Sequence, residues 1–155
     1  MDYIIKEIDY DSIEEAFALV KRIFLEVDAP DYSEEGIAEV MNDMIESNEF
    51  KSLFKTGKQK MLGAVADGKI IGVTAIGINN HISLFFVDSS YHRKGIGKAL
   101  FKELVSRLNV QNVKEITLNS TPFAVQFYKK IGFDIAGSCV KKHGVLYTPM
   151  KYILR

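Results

Sequence analysis

Residues Ile82 to Leu104 read ISLFFVDSSYHRKGIGKALFKEL: an apolar strand, a short polar turn, and a helix whose opening carries Gly95 and Gly97. Two glycines at a helix start let a ligand approach the backbone closely, and the first-turn amides, here Lys94 to Lys98, find no partner inside the helix. They lie at the positive end of the helix dipole, so the junction is a phosphate cradle that fits a diphosphate without any side chain. Each amide-to-anion bond contributes about 1.5–3 kcal/mol, against about 1 kcal/mol lost to a mid-helix glycine, so ligand binding rather than helix stability accounts for the pair. Other phosphate loops do not fit. A dinucleotide fingerprint needs a third glycine where Leu100 stands, and a P-loop needs glycine at His92 and Ser or Thr at Ala99.

Working toward the N-terminus, Asn79-Asn80 separates this strand, His81 to Val87, from a hairpin whose arms are Lys60 to Ala66 and Lys69 to Ile78. The Asp67-Gly68 pair between the arms tolerates positive φ and favours a two-residue turn, so an antiparallel three-strand meander is expected. Further back, Tyr3 to Ile8 alternates as a strand. Asp11 or Ser12 then caps a helix with Ile13, Phe17, Val20 and Phe24 on one face, which Asp28 to Asp31 interrupt. Ser33 caps a second helix with Ile37, Val40, Met41, Met44 and Ile45 as its stripe, and Glu49 to Lys60 reads as a helical turn and connector.

Toward the C-terminus, Ile96, Leu100, Leu104 and Leu108 recur every four residues, and a strand follows at Val113 to Asn119, expected to lie parallel to His81–Val87. Thr121 and Pro122 open a helix closed by Gly132, with Phe123, Phe127 and Ile131 as its inner face. Phe133 to Val140 and Val145 to Leu154 finish the chain as strands. The order βααβββαβαββ implies an α/β (α+β) fold: one mixed, mainly antiparallel seven-stranded sheet with helices on both faces, in a single domain over residues 1–155.

The 155 residues are 47% hydrophobic with 20 basic and 20 acidic side chains, which suits one core and argues against bulk nucleic-acid binding; Arg93, Lys94, Lys98 and Lys102 form a basic rim beside the cradle instead. A start that is charged this early is no signal peptide, and no apolar run approaches a membrane span, so a cytoplasmic protein without membrane contact is expected. Cys139 is alone, which leaves no disulfide or cysteine zinc cluster; it reads as a small core residue, and no metal is expected.

The chain resembles the GNAT superfamily of N-acetyltransferases, which combine this element order with an (Arg/Gln)-x-x-Gly-x-(Gly/Ala) pyrophosphate turn. Here the turn is His92-Arg93-Lys94-Gly95-Ile96-Gly97, with His92 in place of Arg or Gln; a second block matches as Asn119 followed by Phe127-Tyr128-Lys129-Lys130-Ile131-Gly132-Phe133. The resemblance implies acetyl-CoA as acyl donor, its pyrophosphate on the amides of residues 92–98 (His92, Arg93, Lys94, Gly95, Ile96, Gly97 and Lys98). It also implies that the two central strands splay, and that the pantetheine arm pairs like an added strand with Phe85, Phe86 and Val87. The backbone of Phe85 would polarise the thioester carbonyl and that of Val87 would hold the pantetheine amide. Asn119 would reach the pantetheine or its neighbouring backbone, or is simply a turn-forming Asn before a capped helix.

The same resemblance makes Tyr128 the candidate general acid, the alternative being a packed tyrosine with a satisfied hydroxyl. A phenol near 10 and a thiol near 8.5 leave full proton transfer about 2 kcal/mol uphill, so Tyr128 acts best by hydrogen-bonding the departing sulfur. His81, at a position where some relatives carry a Glu or His base and on the expected face of Ser83 and Phe85, is the candidate base; otherwise it closes the Asn79-Asn80 turn. Imidazole falls about 5 kcal/mol short of stripping an alkylammonium directly, so it would act after attack or through water, which Ser83 would help to hold. Glu26, Asp28, Asp31, Glu34 and Glu35 crowd the loop that walls the acceptor site in similar proteins. Asp28, Asp31 and the aromatic wall of Tyr32 would steer and bind a cationic amine, or the cluster is a solvated acidic loop.

The reaction implied is transfer of acetyl to a primary amine by direct attack in a ternary complex, on a small molecule or a peptide. A non-catalytic acyl-CoA-binding sensor is the rival class. The oligomeric states left open include a homodimer.

Overall fold

The computed structural model describes residues 2–155. Strands β1 (Ile4–Glu7), β2 (Gln59–Ala66), β3 (Lys69–Gly77) and β4 (Ile82–Val87) pair antiparallel in that order. Asp67 and Gly68 both take positive φ, as the hairpin turn between β2 and β3 demands, and Asn80 does so before β4. A second sheet is built around β8 (Val145–Ile153), which pairs with β5 (Glu115–Ser120), β6 (Asp134–Ile135) and β7 (Val140–Lys142).

The two sheets touch at one rung. His81 and Thr117 form a single parallel bridge, supported by the Thr117 N–H donating to the Asn80 carbonyl at 3.1 Å. The expected parallel pair of β4 and β5 therefore reduces to its first step. The cause lies in β4: register runs Ala75–Leu84 and then Ile76–Ile82, so Ser83 has no partner on β3 and bulges. A bulge bends its strand and increases local twist, which carries the rest of β4 away from β5.

Helices cover both faces. On one side α1 (Ile13–Ile23), α2 (Glu34–Val40) and α3 (Asn48–Thr56) enclose Met61, Val73, Ala75 and Leu84; on the other, α4 (Ile96–Val110) and α5 (Val125–Lys130) enclose Leu62, Ala64, Ile116 and Met150. No helix among the described residues is long and apolar enough to cross a membrane.

Several elements depart from expectation. The segment 49–60 holds a complete helix, α3, capped by Ser47 Oγ accepting from the Phe50 N–H at 3.0 Å and closed by left-handed Gly57. Phe50 and Phe54 of this helix meet Phe17 edge-on at 6.0 and 5.8 Å, and that tertiary contact offsets a polar local sequence. The helix α1 does not stop at Asp28 but widens into a π-helical turn, Phe24–Asp28, and then a 3-10 turn, Ala29–Asp31. The last predicted strand pair is split, giving eight strands, because Pro149 in β8 lacks the N–H to continue the ladder; its carbonyl accepts from Ala136 and β6 ends at Ile135. Cys139 lies in the resulting loop and is exposed rather than core.

The face of α5 is also rotated. Phe123 is 66% and Phe127 37% exposed, while Tyr128 is the buried residue at 8%. Its lead-in, Pro122–Ala124, is 3-10, with three residues per turn instead of 3.6, so an α-helical count from Phe123 goes out of phase.

The β7–β8 hairpin tip rests on the start of α2, where the backbone at Gly36 meets the Gly144 carbonyl and Ser33 Oγ sits 3.5 Å from the same oxygen. A Cβ on Gly36 would overlap that oxygen, and neither backbone can yield freely. Gly36→Ala should therefore cost about 1–3 kcal/mol and lower the melting temperature by roughly 2–12 °C. A thermal melt unchanged within about 1 °C would show that the hairpin tip is free to lift.

Candidate active site

The cradle forms as the sequence implies, with a division of labour between its glycines. Gly95 stands at the N-cap of α4 with φ +80° and open space around it, so its role is conformational; Arg93, two residues earlier, is also left-handed at φ +65°. Gly97 is inside the helix, where a Cβ would lie 2.9 Å from Phe127 Cζ and 3.4 Å from Phe85 Cε1, so its role is room. Ala99 N–H donates to the Gly95 carbonyl at 3.0 Å as the helix begins, leaving the earlier amides facing outward. Ile96 and Leu100 anchor the turn from beneath, both almost wholly buried.

Side chains tie this loop to its surroundings. His92 Nε2 lies 2.8 Å from the Val87 carbonyl, so the residue that replaces the family's Arg or Gln clips the turn to the end of β4. Asp88 pairs with Arg22 at 2.9 Å and accepts from the Ser90 N–H at 2.9 Å; burial pushes its carboxyl up, but these bonds outweigh it and hold it below the usual value. Ser89 Oγ donates to Glu26, in the π-turn that follows α1. The cradle loop and the end of α1 are thus fastened at two points.

Where β4 and β5 part, a cavity of about 220 Å³ opens, bordered by residues 83–87 of β4, Leu118 and Asn119 of β5, Tyr128 of α5, and Asp28 and Tyr32 beyond α1. A second chamber of about 360 Å³ shares Asp28, Tyr32, Thr121 and Phe123 with the first and adds Asp31 and Leu146. The rings of Phe85 and Phe133 stand edge-on to Tyr128 at 5.8 and 5.6 Å and hold it in place. Its hydroxyl has no hydrogen-bond partner among the described residues and borders the cavity. Burial, and then the charge of Asp28, push this phenol well above its ordinary range. Asp28 is unusual too. Burial, then Asp31, raise its carboxyl to about 6, and Tyr32 is pushed up to about 12 by burial and then by Asp28.

Of the residues singled out in sequence, Phe85, Phe86, Val87, His92, Asn119 and Tyr128 share the inner cavity with Asp28, Tyr32 and Ser83; Asp31 lines the outer chamber. His81 is not brought in. Its Nδ1 is 2.8 Å from Thr117 Oγ1, and desolvation lowers its pKa. The bulge at Ser83 breaks the alternation that placed His81, Ser83 and Phe85 on one face, and Ser83 Oγ donates to Gln59 Oε1 at 2.8 Å. Phe24 and Phe123, which wall the cavity, carried no signal of that role beyond their size.

Solved structures that share this fold along nearly the whole chain include acetyltransferases. The PaiA N-acetyltransferase of Thermoplasma acidophilum, solved with coenzyme A, has a TM-score of 0.80 at 21% identity over 99% of both chains. A GNAT-family acetyltransferase of Staphylococcus aureus Mu50 gives 0.73 at 20% identity, covering 99% of this chain and all of the other. Residues 28–154 match the family model for the acetyltransferase (GNAT) domain, and the chain belongs to that family. A histone acetyltransferase, TAP1, of Glycine max is 33% identical over 63 residues, which are 41% of this chain but only 26% of TAP1. The chain's match thus spans about a quarter of that relative's length.

The raised carboxyl has a measurable consequence. The unfolded chain ionises Asp28 from its ordinary value of 3.8 upward, whereas the folded chain resists until about 6, so folding weakens as pH rises between these values and the full penalty stands above them. Asp28→Asn should raise the melting temperature by roughly 2–8 °C at pH 7.5, corresponding to about 1–2 kcal/mol, and the gain should vanish near pH 4. Equal shifts in melts at both pH values would show that charge burial is not the cause.

Proposed function

We propose that the chain, acting as one domain, is an acetyl-CoA-dependent N-acetyltransferase that moves an acetyl group to a primary amine by direct attack in a ternary complex. The observation that carries this reading is the single cavity in which a freed β4 edge, an unpartnered Tyr128 hydroxyl and an acidic acceptor wall meet, one helix start away from an anion cradle.

The residues present fit the cosubstrate. The amides of residues 94–98 would hold the pyrophosphate, with Arg93, Lys94 and Lys98 as its exposed basic rim. The edge of β4 that β5 leaves unpaired would take the pantetheine arm, with the backbones of Phe85 and Val87 as its partners and Asn119 across the gap. When bound, the thioester supplies an activated acyl carbon. What this chain adds is placement and proton control. Tyr128, buried and with its phenol pKa raised, keeps its proton and donates a hydrogen bond where the sulfur departs, rather than surrendering the proton outright. His81 serves in this reading as the rung that joins the sheets. Asp28, Asp31 and Tyr32 draw a cationic amine through the outer chamber, since no Lys or Arg lines either cavity.

Calorimetry with acetyl-CoA and a thiol-release screen across polyamines, amino acids, aminoglycosides and short peptides test the reading together. Tyr128→Phe should bind acetyl-CoA within about threefold of the parent and lose about 10²–10³ in kcat. A pure binder would have no need of the hydroxyl, so equal turnover would refute its role. Gly97→Ala should weaken acetyl-CoA binding by roughly tenfold or more with little change in melting temperature, because the Phe127 ring tip it displaces is half exposed and yields cheaply. No detectable heat with the folded wild type would sink the assignment.

A further inference from the structure

Two half-buried carboxylates of this fold are answered by a cation: Asp88 has Arg22, together with the Ser90 amide, and Glu103 has Arg107 at 3.7 Å. Asp28 has neither. It makes no hydrogen bond and no ion pair among the described residues, although it is more than half buried. It also stands at a junction, bordering both the inner cavity that holds Tyr128 and the outer chamber that leads to solvent.

Resting on the acetyltransferase reading, we propose that the Asp28 carboxylate is the proton acceptor for the amine nitrogen. The groups that face it are themselves acidic or neutral: Asp31 three residues on, Tyr32 from the same loop, and Tyr128 from α5. The remaining titratable group of the inner cavity is His92, whose Nε2 is already engaged by the Val87 carbonyl. An unpaired carboxylate with no cation to neutralise it, sharing a cavity with the Tyr128 hydroxyl, which also lacks a partner, is a pair waiting for groups from a substrate. The raised carboxyl agrees, because it brings Asp28 closer to the proton affinity of a nitrogen just bonded to an acyl carbon than an exposed aspartate would be.

The acceptor approaches as an ammonium and gives one proton to water in the outer chamber, leaving the neutral amine as nucleophile. Its lone pair forms the C–N bond to the acyl carbon as the carbonyl π pair moves onto oxygen, and the adduct's nitrogen, now positive, releases one of its two protons to Asp28. The oxygen pair then re-forms the carbonyl as the C–S bond breaks and its pair leaves on sulfur, hydrogen-bonded to Tyr128; the phenol keeps its own proton, and the thiolate takes the one held on Asp28 through water in the cavity that the two side chains share. Products are the amide and the free thiol, with no net charge change after the amine is neutral.

This role separates Asp28 from Asp31, whose place in the outer chamber makes it an attractor only. The test is a set of pH–rate profiles for wild type, Asp28→Asn, Asp28→Glu and Asp31→Asn with acetyl-CoA and the fastest of four probes: butylamine, 1,4-diaminobutane, phenethylamine and glycinamide. The wild type should show an acid limb near pH 6; Asp28→Asn should keep acetyl-CoA affinity, lose about 100-fold or more in kcat, and lose that limb. Asp28→Glu should recover part of the rate with a displaced limb, and Asp31→Asn should raise KM for the amine more than it lowers kcat. If Asp28→Asn raises KM alone and keeps the acid limb, the carboxylate attracts the amine without accepting its proton, and the proposal fails while the acetyltransferase reading stands. If the wild type binds coenzyme A and acetylates none of the probes, both are overturned.

Discussion

One rung of hydrogen bonding decides the rest of this molecule. At His81 and Thr117 the two sheets are joined, and immediately after it the extra residue in β4 turns that strand away. A sheet that opens this way leaves main-chain donors and acceptors without partners in the middle of a protein, where unsatisfied backbone is expensive. Water or a ligand must then answer them. The cavity, the exposed strand edge and the cradle at the head of α4 are all consequences of that divergence, and they explain why a cosubstrate with an amide-bearing arm and a diphosphate suits this fold.

The polar chemistry of the cleft follows from how little water reaches it. Desolvation is the first cause behind the high values of Asp28, Tyr32 and Tyr128, and each anion nearby compounds the next. A protein optimised for stability alone would put a base beside Asp28 or replace it. Retaining an unanswered carboxylate lowers stability, and such local costs gather where a substrate is to be received.

Much of this could be read along the chain, and the failures have physical reasons. The glycine pair, the Asp67-Gly68 hairpin and the Phe-Tyr-x-x-x-Gly-Phe block are local signals, fixed by backbone conformation over a few residues, and the structure places them as expected. The position of His81 was lost because a bulge changes the two-residue period of a strand and no side chain announces it. Counting an inner face from Phe123, Phe127 and Ile131 leaves Tyr128 off it, and its depth is visible only once the 3-10 lead-in has shifted the phase. Helix α3 depended on an aromatic triad closed by Phe17 from far away in sequence. The wide turn at Phe24–Asp28 has no compositional signature at all, and it sets where Asp28 stands.

That wide turn has a bearing on how such a pocket arises. A π-turn is an α-helix carrying one surplus residue, and each residue of an α-helix advances about 100° around the axis. Because the wider winding absorbs that residue locally, excising a single position between Phe24 and Val27 would tighten the turn while the segments on either side keep their packing. The rim of the chamber is thus open to remodelling by one codon's insertion or deletion while every neighbouring amino acid stays the same.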